Sequence, residues 1–234
     1  MQPIGTDMNN TNTKYKHALY IDLEYSCWDG PRPSGCDLEI IEIGAVEVDL
    51  ESLAITKEAA YLVRPRHLEI SLRCTQITGI TAPDLRPAKR LPEVLAQLED
   101  DFGPGEKVCV AWGNDIDMLA GACRQYRIRT PFKKGVDLSQ LLRHLLLLKE
   151  QPSLHDGINM LGISFDGVAH TALADARNTA RIHAELLRRV RSEQDPIPDR
   201  LDQPDPRTTR PTYFAEKLLG ALRANCNPSG SASE

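Results

Sequence analysis

No two cysteines in the chain are spaced C-x-x-C, and the six present (Cys27, Cys36, Cys74, Cys109, Cys123 and Cys226) show none of the ligand spacings of a zinc site. Zinc ribbons and fingers are therefore excluded. Most of these residues sit inside apolar segments, so they read as reduced, buried thiols of a cytoplasmic protein. A basic excess is also missing. The net charge of -5 argues against a chain that coats nucleic acid non-specifically, because such binding is dominated by phosphate neutralisation; a local basic groove remains compatible with it. Long apolar runs are absent as well. The N-terminal MQPIGTDMNNTNTKYK lacks the apolar core of a secretory signal, and the longest run, Leu145 to Leu148, is far too short to cross a bilayer, so no membrane partner is expected.

What is present fits one soluble domain with tails: 234 residues, 41% of them hydrophobic and 26% charged. Residues 1–15, rich in Asn and Thr, read as a disordered tail. The domain proper is expected over 16–191. HALYIDLE, IIEIGAVEVD and AAYLVRP around Val63 carry strand patterns joined by turn-like segments, which predicts an antiparallel meander. RLPEVLAQLEDDF then places Leu91, Val94, Leu95, Leu98 and Phe102 at helical spacing, and KVCVAW reads as a central strand. IDMLAGACRQY, DLSQLLRHLLLLKE and HTALADARNTARIHAELLRRV read as helices. The fold class is thus α/β, a mixed sheet of antiparallel meander plus parallel strands flanked by helices. From 192 to 234 a proline-rich linker leads to an amphipathic helix, with Phe214, Leu218, Leu219 and Leu222 on one face, and a flexible end.

The stretch YIDLEYS carries the first chemistry. Alternation puts Asp22 and Glu24 on one face of a strand, about 7 Å apart along it. Two like charges in an apolar strand need a cation, and a pair of hard oxygens suits Mg²⁺ or Mn²⁺ better than zinc. Asp115 follows a Trp-Gly-Asn turn where a strand gives way to a helix, the place where open α/β sheets gather functional groups. Asp117 is a rival that would point to a different side. His170 precedes a helix start at Thr171 and Asp175 lies one turn inside, so both can face one cleft, and an imidazole there is suited to act as a general base.

Taken in order, D-x-E at Asp22 and Glu24, Asp115 with Leu119 four residues on, and H-x-A-x-x-D-A from His170 to Ala176 resemble the DEDDh group of 3′→5′ exonucleases. DLEYSCWDG, EIIEIGAVEVD, YLVRP, CTQITGIT and LGISFDGVAHTALADARNTARI further resemble the branch of 3′-end histone-mRNA and small-RNA exonucleases and their bacterial relatives. The resemblance implies an RNase H-like fold, two Mg²⁺ (or Mn²⁺), and single-stranded 3′ ends as substrate with RNA favoured over DNA. Asp22, Glu24 and Asp175 would hold the first ion, with Asp22 bridging to the second and Asp115 assisting. His170 would deprotonate the attacking water, and nucleoside 5′-monophosphates would be released. Leu23, Gly79 and Ile80 resemble the lining of a terminal-nucleotide pocket. The run from Arg124 to Lys134, which interleaves Arg127, Arg129 and Lys133 with Tyr126 and Phe132, is a candidate backbone guide. Two alternatives stand beside this reading: a DNA proofreading or repair exonuclease, and an inactive nucleic-acid-binding module.

Overall fold

Residues His17–Tyr25 form β1, whose sequence HALYIDLEY is buried on both faces over most of its length, the pattern of a strand in the middle of a sheet. Ile40–Asp49 (β2) pairs antiparallel with it and Ile55–Leu62 (β3) antiparallel with β2. Val108–Ala111 (β4) lies parallel to β1 on its other side, and Gly135–Asp137 (β5) parallel to β4. The order is therefore β3-β2-β1-β4-β5, a five-stranded mixed sheet. The computed structural model describes residues 15–192 apart from 33, 35 and 36; of the tail read over 1–15 and the linker and helix read over 192–234, residues 1–14 and 193–234 lie outside the described residues.

Among the described residues seven α-helices accompany the sheet: α1 (Leu72–Thr78), α2 (Ala82–Leu85), α3 (Leu91–Phe102), α4 (Asp115–Tyr126), α5 (Leu138–Leu145), α6 (Leu154–Leu161) and α7 (Ala172–Arg191). Odd-numbered residues of β1, Leu19, Ile21 and Leu23, meet α3 and α4 through Val94, Leu98, Leu119 and Cys123. Even-numbered ones, Ala18 and Tyr20, join Val46, Val48 and Val110 against α5, α6 and α7. Period-two alternation thus decides that Asp22 and Glu24 face α7.

That helix comes unusually close. Ala172, Ala176 and Ala180, one helical turn apart, are at most 1% exposed, and Gly44 of β2 lies beneath the first of them. A Cβ at position 44 would sit 2.1 Å from the Ala172 carbonyl carbon. Further along, the Tyr20 hydroxyl hydrogen-bonds His183 Nδ1 at 2.7 Å and ties α7 to β1.

Three expectations need adjustment. The third strand begins earlier than AAYLVRP, at Ile55, and ends within it at Leu62; Val63 still donates its N–H to the Ile41 carbonyl at 2.8 Å and bridges to Lys89. The helix expected through Glu150 ends at Leu145, where Leu147 turns left-handed (φ 54°) and the Leu148 N–H closes onto the Arg143 carbonyl. β5, only three residues long and beginning on glycine, was not anticipated.

Because the Gly44 contact is backbone against backbone, Gly44→Ala is expected to cost about 1–3 kcal/mol of stability by pushing the start of α7 off the sheet. Urea denaturation measures this, and a loss below roughly 0.5 kcal/mol would mean that the helix start yields freely.

Candidate active site

The end of β1 delivers two carboxylates to one surface. Asp22 lies opposite Gly44 and Glu24 opposite Glu42 in the antiparallel register, and Glu24 is 9% exposed. Gly44 leaves room above Asp22 for the start of α7.

Asp115 arrives from the other side. After β4 the Trp112 indole donates to the Pro152 carbonyl at 2.9 Å, and its ring lies where a side chain on Gly157 would be. Gly113 takes a positive φ (93°) that a side chain would oppose. Its N–H donates to Asp137 Oδ1 at 3.0 Å, and the same oxygen caps α5 through the Gln140 N–H. The turn so fixed places Asp115 at the first position of α4, half-buried, with its carboxyl beside the Leu23 backbone N–H. Asp117 is exposed and lines a groove beside α4. The structure therefore brings Asp115, and not Asp117, to the other acids. Sequence reasoning missed Asp137, whose signal was an Asp two residues before a Ser at a helix start.

The third contribution comes from the start of α7. His170 has a left-handed backbone (φ 63°), and its N–H donates to Asp175 Oδ2 at 3.1 Å. The loop before it is clamped by Asn178, fully buried, which accepts from the Asp166 N–H and donates to the Asp166 and Ala174 carbonyls. Asn178 was also missed; a polar residue one turn beyond Asp175 was its only trace. Glu24, His170 and Asp175 each present a ligand atom, all within 4.8 Å of one another.

Electrostatically the cluster is uncompensated. Burial, and then the charges of Asp175, Glu42 and Asp115, push the Glu24 carboxyl up to about 8. Burial followed by Asp137 and Asp175 pushes Asp115 up to about 7 against the lowering influence of the Leu23 N–H. Asp22 lies well above the usual carboxylate range, first through burial and then through its acidic neighbours, of which Asp115 is the strongest. Asp175 is raised by burial. Among the described residues none of these acids pairs with a lysine or arginine, and Asp175 Oδ1 is buried with no hydrogen-bond partner. An orphaned carboxylate oxygen facing other buried acids fits a divalent cation of hard-oxygen preference.

Of the candidate pocket residues, Leu23 (6% exposed) packs in the α3–α4 core. Ile80 (7% exposed) packs with Ile41, Cys74 and Leu85. Gly79 is the exposed left-handed cap of α1. In the basic run Phe132 joins the core, Tyr126 lies 4.9 Å beneath the Arg66 guanidinium, and Lys133 pairs with Glu106. A groove of about 310 Å³ opens beside Tyr25, lined by Arg32, Arg64, Arg66 and Arg124 as well as by Asp37 and Asp117.

A mixed sheet of this order, with acids from β1, α4 and α7 meeting at one end, is the RNase H-like fold with a DEDDh arrangement of acids. Residues 19–183 match the Exonuclease family model, RNase_T, and the chain belongs to that family. It is 29% identical over 231 residues to ERI1 exoribonuclease 2 of Danio rerio, covering 87% of this chain and 41% of the relative. It is 28% identical over 193 residues to 3'-5' exoribonuclease 1 of Rattus norvegicus, covering 77% and 56%. The chain thus spans about half the length of these relatives. Among solved structures it resembles the nuclease domain of 3'hExo, a DEDDh family member, bound to rAMP (TM-score 0.66, 26% identity, 76% of this chain and 94% of that one). A similar match describes 3'-end specific recognition of histone mRNA stem-loop by 3'-exonuclease (TM-score 0.66, 25% identity, 76% and 84%).

A carboxyl whose folded pKa is raised contributes stability below its unfolded value and loses it as pH rises through the folded one. The metal-free chain, kept in chelator, should therefore melt at progressively lower temperature as pH rises above about 5, the decline levelling off above about 8 once Asp115 (about 7) and Glu24 (about 8) have ionised. Millimolar Mg²⁺ or Mn²⁺ should flatten that slope by binding the ionised acids. Chelated melts that do not vary with pH would show that the acids are not in strained proximity.

Proposed function

We propose that this chain is a metal-dependent 3′→5′ exonuclease that removes nucleoside 5′-monophosphates from single-stranded 3′ ends, with RNA favoured. The observation that carries the proposal is the convergence of Glu24, His170 and Asp175 within 4.8 Å beside Asp22, with Asp175 Oδ1 lacking a partner. Asp22, Glu24, Asp115 and Asp175 would hold two Mg²⁺ (or Mn²⁺), which when bound supply the positive charge that a phosphodiester and its leaving oxygen require.

The chain's own residues do the rest. His170, exposed at the cleft and oriented through its backbone bond to Asp175, accepts the proton of the attacking water. Leu23, Gly79 and Ile80 border the terminal nucleotide. The groove beside Tyr25 sets four arginines against Asp37, Glu39 and Asp117, with Arg66 paired to Glu39, and so offers a small positive excess to a strand backbone. Preference for RNA rests on the relatives' names and on the rAMP and histone mRNA of the similar structures. We assign the nuclease unit to 16–191, with 1–15 and 192–234 as appendages. Among the described residues no helix is long and apolar enough to cross a membrane, and we read the protein as cytoplasmic from the free thiols of Cys27, Cys74, Cys109 and Cys123.

Digestion of 5′-labelled single-stranded RNA and DNA of one sequence tests this. The wild type should give a ladder shortening from the 3′ end only with divalent metal. His170→Ala should slow it by about 10²–10⁴-fold, Asp22→Ala should abolish it, and Asp115→Ala should impair it far more than Asp117→Ala. Faster loss of DNA would assign a repair-type enzyme, and binding without shortening an inactive module.

A further inference from the structure

Glu42 is the one acid of the cluster that the nuclease reading leaves without a task. It faces Glu24 directly across the β1–β2 pair and is half-buried. Its Oε2 accepts the N–H of Ala172, the first residue of α7, at 2.9 Å. That bond reaches across 130 residues of sequence to a helix end whose own N-cap does not serve it: the Thr171 hydroxyl donates instead to the Val168 carbonyl at 2.8 Å, and no side-chain cap bond forms. The start of a helix leaves N–H groups without partners, so an acceptor oxygen there satisfies a donor that would otherwise be unpaired. Two residues along β2, Gly44 receives the same Ala172 in close contact.

We infer that Glu42 is a positioning residue, a remote N-cap supplied by β2 that fixes where α7 begins and hence where His170 and Asp175 stand relative to Asp22 and Glu24. The inference rests on the nuclease reading for its catalytic consequence, but the clamp itself is a property of the fold. Glu42 acts as a hydrogen-bond acceptor toward the backbone, and its role needs an oxygen rather than a charge. Glutamine can supply that oxygen; methionine, of similar size, cannot.

The test compares Glu42→Gln with Glu42→Met in the full chain by two readouts. In metal-saturated single-stranded RNA digestion, Glu42→Met should lower kcat by roughly 10²-fold, the scale of a misplaced catalytic group, with KM little changed. Glu42→Gln should recover most of that loss. In amide hydrogen exchange, Ala172 and its neighbours should exchange about tenfold faster in Glu42→Met than in the wild type, as for a lost helix-terminal bond, and near the wild-type rate in Glu42→Gln. Equal damage in both variants together with a raised metal requirement would make Glu42 a metal ligand and overturn the inference. So would unchanged exchange at Ala172 in Glu42→Met. Should Glu42→Met not fold, Glu42→Asp, shorter by one methylene, serves in its place with the same expected direction. If the wild type shows no nuclease activity, the exchange data alone decide, and the failure belongs to the nuclease reading.

Discussion

The mutual repulsion of acids withdrawn from water is the constraint on which this structure turns. Asp22, Glu24, Asp115 and Asp175 all have raised pKa values, burial being the largest cause in each. Left alone, such a group of side chains would spread into solvent. They are held instead by elements whose packing elsewhere is apolar and extensive: β1 at the centre of the sheet, α4 on one face and α7 on the other. The core stabilises the strand and helices, and this lets their ends carry an arrangement that is unfavourable until a cation arrives.

Each acid depends on a separate positioning device. For Asp115 it is the turn locked by Asp137, Gly113 and Trp112. For Asp175 it is the seat of α7 on Gly44 and the Asn178 clamp on the preceding loop. These devices use backbone hydrogen bonds and the absence of side chains rather than salt bridges, so they add no opposite charge that would compete with a metal for the carboxylates.

Much of this was legible in the sequence because it follows from period. Alternation along YIDLEYS placed Asp22 and Glu24 together, and the helical spacing after Thr171 placed Asp175 one turn inside α7. The meander, the strand at Val108 and the helices at Leu91, Asp115 and Ala172 were readable for the same reason. Less legible were elements too short for a period to show, namely β5, α1, α2 and α6. Positioning residues such as Asp137 and Glu42 were also hidden, since they act across 24 and 130 residues of sequence. The choice between Asp115 and Asp117 turned on the geometry of one turn, which spacing alone does not fix.

The bond from the His170 N–H to the Asp175 carboxylate joins two groups of different chemistry into one mechanical unit. The left-handed backbone at His170 gives that unit a strained joint, so it is held in shape by the contacts of the 164–171 loop with α7. Asp175 stands on α7 and His170 on the loop before it, so this bond ties the end of the loop to the first turn of the helix. The position of the His170 backbone is thereby indexed to a helix that the sheet itself seats through Glu42 and Gly44.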